Sequence, residues 1–123
     1  MQTQERTYES GVDFAELLAR LEYDRGLLSE VFQIFVEEFP LLHSQLQSAM
    51  VDGDLRQVRT TAHTLKGMLA SLSFSRASAS AFRIERMAAE SKPEGIPEEL
   101  ARLGRNAAQA QADLAAVCGE VIR

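Results

Sequence analysis

The residues with chemistry to offer are few: two histidines, one cysteine and the charged side chains. Only His63 sits in a pattern. It lies in the stretch TTAHTLKGMLASL, residues 60–72, followed by Lys66 and Gly67. Leu55, Val58, Ala62, Leu65, Leu69 and Leu72 recur at three-and-four spacing, the apolar stripe of an amphipathic helix. At about 100° per residue, His63 projects about 130° from the centre of that stripe, towards solvent. Gly67 falls on the same outer face, one turn further on. Glycine inside a helix costs about 1 kcal/mol relative to alanine, and an outward position has no packing reason to accept it. What glycine supplies there is clearance, because no side chain overhangs the imidazole. Ala70 and Ser71 keep the following turn low.

Arg56, Arg59 and Lys66 surround the same region, a positive patch on a chain whose formal net charge is −5. An imidazole with an unperturbed pKa of about 6.5 is a competent nucleophile near neutral pH. Accessible, sterically cleared and ringed by cations, it suits a transferable anion, and phosphate is the natural candidate. Lys66 stands where it could stabilise the added charge, and a flat helix face allows in-line approach by a second protein. Taken singly, a surface histidine, a lysine and a tolerated glycine are ordinary; the combination His-x-x-Lys-Gly on an outward face carries the reading. Met68 flanks this face, and with Arg56, Arg59, Ala70 and Ser71 it is a candidate docking residue.

The other chemistries find little support. His43 and His63 fall on different expected helices with no converging cysteines, so no metal site is expected. His43 reads as an ordinary residue at the edge of an apolar stripe. Cys118 can form no internal disulfide and reads as a small packed hydrophobe. No Gly-rich phosphate loop is present, and no cofactor is expected on this chain. The acidic balance disfavours nucleic acid as a partner.

The elements that must hold His63 in place are helical throughout. The chain has 123 residues, with 46% hydrophobic and 25% charged, enough for one domain with a genuine core. No run of eighteen apolar residues occurs, and the polar N-terminus lacks a secretory apolar stretch, so a cytoplasmic location is expected. Asp13 caps a short helix with Phe14, Leu17, Leu18 and Leu21 on one side. Asp24 caps a longer one carrying Leu28, Val31, Phe32, Phe35, Phe39, Leu42 and Leu46, with a kink or break expected at Pro40. Gly53 and Asp54 end that helix and cap the next, which runs from about Leu55 to Leu72. After the turn at 73–75, Ser75 caps a fourth helix through Ala77, Ala81, Ile84 and Ala88. SKPEGIP, residues 91–97, is a loop, and Pro97 opens a last helix with Glu98 and Glu99 in its first turn. Its stripe is Leu100, Leu103, Ala107, Ala110, Leu114 and Val117. The expected fold is all-α, an antiparallel four-helix bundle with a short extra N-terminal helix. Residues 1–11 are expected as a tail, 12–118 as the bundle and 119–123 as a C-terminal tail.

The segment AHTLKG, with RTT before it and small residues after it, resembles the signature of histidine-containing phosphotransfer domains. The likeness extends from about Val12 to Val117. VDFAELLARLEYDRGLLSEVFQIFVEEFP is similar to that family's first two helices, and AFRIERM to its leucine–glutamate pattern, with Ile84 and Glu85 in those places. The resemblance implies that His63 is the phosphorylated histidine, that Lys66 assists the phosphoryl group, and that Gly67 leaves the imidazole open. It also implies a carrier without an ATP site rather than an enzyme, relaying phosphoryl groups between aspartates of response-regulator receiver domains. A hybrid sensor kinase is an implied partner, a monomer is expected, and the magnesium used in transfer belongs to the receiver. The run from Met68 to Ser73 departs from the small residues usual in the family, and Met68 is expected to tune which receiver docks.

Phe74 gives a short similarity to chemotaxis-type phosphoacceptor domains. A non-catalytic interaction bundle that leaves His63 unused, and the dimerisation domain of an ordinary sensor kinase, stay open as alternatives. Thr64 directly after the histidine, and the absence of any proline between His63 and Pro93, argue against the second.

Overall fold

The computed structural model describes residues 12–121, with side chains as far as Val117. Five helices follow one another: α1 (Phe14–Arg20), α2 (Arg25–Asp52), α3 (Leu55–Ser71), α4 (Ser75–Ala89) and α5 (Ile96–Val121), with a 3-10 turn at Pro93–Gly95. The last four form the antiparallel bundle. α3 packs most extensively on α4, α4 on α5, and α2 closes the ring against α3 and α5. The fully buried Phe35, Leu46, Leu65, Leu69, Ile84, Leu103 and Leu114 fill the centre. No described helix is long and apolar enough to cross a membrane.

Three expected caps form as the side chains dictate: Asp13 accepts from Glu16 N, Asp24 from Leu27 N and Asp54 from Gln57 N. Gly53, with φ of 69°, ends α2 in the left-handed conformation that glycine adopts without strain. The fourth cap is different. Phe74, not Ser75, is the cap residue of α4, and it makes no side-chain cap bond. Burial fixes this turn instead: Phe74 is wholly buried, edge-on to Phe35 at 5.2 Å. Its amide bonds back to Leu69 O, and Ser73 accepts a φ of 61° to let the chain double back. The α3–α4 hairpin that carries His63 is thus fastened from inside the core.

Pro40 does not break α2, which runs uninterrupted through it. The proline faces solvent, and the rings of Phe35, Phe39 and His43 follow one another along the helix, the first pair tilted at 5.4 Å and the second stacked at 5.5 Å. Phe35 and Leu46, buried on either side of Pro40, contribute about 1.5–3 kcal/mol each, which offsets the roughly 3 kcal/mol of an interior proline. α5 begins at Ile96, one residue before Pro97, because Ile96 is fully buried and pins the first turn. Pro97 still lies where a missing amide costs little.

His43 is more than a surface residue. It is partly buried, stacked on Phe39, with its Nε2 buried and without a hydrogen-bond partner in the described structure. Of the expected C-terminal tail, 119–121 are part of α5; residues 1–11 and 122–123, and the side chain of Cys118, lie outside the described residues.

Candidate functional site

α3 and α4 run side by side, and this brings His63 next to a residue 22 positions later in the chain. The imidazole is 67% exposed, and its Nδ1 lies 2.8 Å from Glu85 Oε2. The other carboxylate oxygen, Oε1, lies 2.7 Å from Lys66 Nζ. Glu85, only 16% exposed, therefore bridges the two α3 side chains one turn apart. Burial by itself would raise the Glu85 carboxyl. Hydrogen bonds from Lys66 and then His63, reinforced by the Lys66 charge, outweigh it and hold the group below its ordinary value of 4.5.

An ionised carboxylate only accepts hydrogen bonds, so the proton of the neutral imidazole sits on Nδ1. Nε2 then carries the free lone pair and points away from Glu85. The tautomer follows from the acceptor rather than from any observed hydrogen. Glu85 is the residue that reasoning from spacing alone does not find. Its signal in the sequence was present: it is the single acid on α4, set among Arg76, Arg83 and Arg86.

Gly67 is exposed, and a Cβ built there meets nothing within 4 Å. The position is open, and a methyl group there would not touch the imidazole. The chain's own fold does not require glycine, since alanine would fit as well. Arg56 and Arg59 line one surface depression together with His63, Thr60, Thr64 and Glu85. Both arginines are exposed and form no ion pair among the described residues. The hydroxyls of Thr60 and Thr64 are turned onto their own helix, donating to Arg56 O and Thr60 O.

Lys66 stands apart from those arginines. It is engaged by Glu85 and lies over the Phe82 ring, 5.0 Å from its centroid. The expected ring of cations is thus split: on one side of His63 two arginines that pair with none of the described residues, on the other a lysine tethered to Glu85.

Met68 is set apart from His63 around the helix. It is partly buried and packs against the core, because five residues carry it about 140° around the helix from His63. Ala70 is exposed and its carbonyl accepts from Arg20 Nη1 at 3.1 Å, which ties α1 to the end of α3. Ser71 is exposed, with its hydroxyl donating to Met68 O. Among the described residues no group of three His, Cys, Asp or Glu side chains could hold a metal ion.

A helical bundle that presents an oriented, open imidazole beside a lysine has the form of a phosphoryl carrier. The family model described as the Hpt domain matches residues 30–119, and the chain belongs to that family. No curated protein and no solved structure gives a significant match. Membership gives the general role: histidine phosphotransfer within two-component phosphorelays, in contact with receiver domains.

Proposed function

We propose that His63 is the phosphoacceptor and that the chain relays phosphoryl groups between receiver domains. The Nε2 lone pair attacks the phosphorus of a receiver's aspartyl phosphate. As the N–P bond forms, the P–O bond to the aspartate breaks and its electron pair leaves on the carboxylate. The Nδ1 proton stays in place, shared with Glu85, which offsets the positive charge that the ring acquires on N-phosphorylation. Lys66 has donors beyond the one given to Glu85 and can reach a phosphoryl oxygen. Arg56 and Arg59 favour the approach of an anionic partner site. Return of the phosphoryl to a second receiver is the same step reversed.

The observation that carries this reading is the Nδ1–Glu85 contact of 2.8 Å, which leaves Nε2 as the open nucleophile. The chain acts as a carrier in this scheme, not as an enzyme with its own ATP site. Magnesium is supplied by the receiver, the phosphoryl enters from a receiver domain such as that of a hybrid sensor kinase, and the protein works as a cytoplasmic monomer.

The test is phosphorylation by a phosphorylated receiver and, separately, by phosphoramidate, a donor small enough to need no docking surface. The parent chain should carry acid-labile, base-stable phosphate, and His63→Gln should carry none. Equal labelling of His63→Gln would refute the assignment.

A further inference from the structure

Phe82 is an aromatic side chain that the fold leaves 44% exposed, on α4, three residues before Glu85. It is not one of the buried side chains that form the core. It is joined, however, to the reacting imidazole by three successive contacts. Lys66 Nζ stands 5.0 Å from the Phe82 centroid and 2.7 Å from Glu85, whose other oxygen meets His63 Nδ1 at 2.8 Å. Arg86 Cζ lies 5.9 Å from the same centroid. Beyond the ring a groove continues along α1, bordered by Asp13, Glu16 and Arg20 and paved with the small residues Ser78 and Ala79. Leu27, Ile34, Leu41 and Val51, also exposed, lie on α2 and not on the α3–α4 pair that carries His63.

We infer that Phe82 is a specificity-determining contact for the receiver domain, an aromatic anchor covered by the partner when its aspartyl phosphate reaches His63. The inference rests on the phosphoacceptor reading above. A protein interface covers about 800 Å² per partner, a patch of roughly 16 Å radius, so a receiver centred on Nε2 reaches this ring. Aromatic side chains, phenylalanine among them, are enriched at such interfaces, and a few well-packed anchors carry most of the binding energy. The complementary partner surface is an apolar side chain against the open part of the ring, with a carboxylate near Lys66 or Arg86.

The probe is the receiver domain of the source organism that transfers fastest to the parent chain, with phosphoramidate as the docking-independent donor. Phe82→Ala should keep phosphoramidate labelling of His63 within about twofold, and also the rate at saturating receiver. The half-saturating receiver concentration should rise about tenfold, and Phe82→Leu should restore much of it. The substitution is at an exposed position, and an unchanged helical spectrum and melting temperature would verify the fold. An unchanged half-saturating concentration overturns the inference. A fall in phosphoramidate labelling with unchanged half-saturation also overturns it, assigning Phe82 instead to holding Lys66. Failure of the phosphoacceptor reading is told apart by His63→Gln, which would then still accept phosphate whatever Phe82 does.

Discussion

Glu85 and Glu99 grip their partners in the same manner, one side chain to each carboxylate oxygen. Glu85 reaches from α4 to His63 and Lys66 of α3. Glu99 reaches from α5 to Arg83 of α4 at 3.0 Å and to Arg102 of its own helix at 2.9 Å. In both, burial would raise the carboxyl, and donated hydrogen bonds with nearby positive charge overcome it, leaving the group below 4.5. The partners differ. Arg83 and Arg102 are charged at every accessible pH, so Glu99 meets an unvarying environment and serves as a staple between helices. In the function proposed above His63 gains a phosphoryl group, so Glu85 would face a partner whose charge changes. Depth differs too: Glu99 is 6% exposed against 16% for Glu85, beside an imidazole that is 67% exposed. The same ion-pair device thus becomes structural or functional according to what it holds and how far it stands from water.

Exchanging the two carboxylates' neighbours is impractical, but removing each in turn breaks the comparison cleanly. Glu85→Ala should lower the rate of phosphoryl transfer to His63 by about tenfold to a hundredfold, the usual cost of losing a histidine's orienting partner. Glu85→Gln, which can still accept from Nδ1, should lose less. Single-turnover transfer measures both, and parent-like rates in Glu85→Ala would show that the carboxylate plays no part in orienting the ring.

Glu99→Ala should leave transfer untouched and lower stability by about 1–2 kcal/mol. This is less than a fully buried pair, because both guanidinium groups remain about half exposed and can be hydrated. The pH dependence follows from the depressed carboxyl. Its contribution is complete above pH 4.5, its ordinary value, and is lost as pH falls through the lower folded-state value. Denaturant unfolding between pH 7 and pH 3 should therefore show a shallower acid loss in Glu99→Ala than in the parent. A parallel loss in the two proteins would contradict the assigned role.

The smallest expected effect is at Gly67. Gly67→Ala should raise stability by up to about 1 kcal/mol, since the added methyl meets nothing and glycine is the weaker helix former. Gly67→Gln should also fold, yet slow transfer from a receiver by overhanging the imidazole. Undiminished transfer in Gly67→Gln would remove clearance as the reason for glycine.

Periodicity carries most of the fold because four helices with narrow stripes have few ways to bury them. The caps at Asp13, Asp24 and Asp54, and the αL stop at Gly53, are local chemistry and so can be read locally. Local reasoning failed where distant burial overruled it. Pro40 is carried through by Phe35 and Leu46, α4 begins on the buried Phe74 instead of a serine cap, and α5 is pinned by Ile96. Met68, about 140° around α3 from His63, is partly buried against the core.

By itself the sequence determined the all-helical bundle, the outward direction of His63 and the open space at Gly67, because each depends on the turn angle of a single helix. The packing of the helices decided which nitrogen of His63 is free, that Lys66 is tethered to Glu85 while Arg56 and Arg59 pair with none of the described residues, and that Phe82 stands beside Lys66. Those facts depend on how α4 lies against α3, and a hydrogen bond between residues 63 and 85 leaves no periodic trace in either helix.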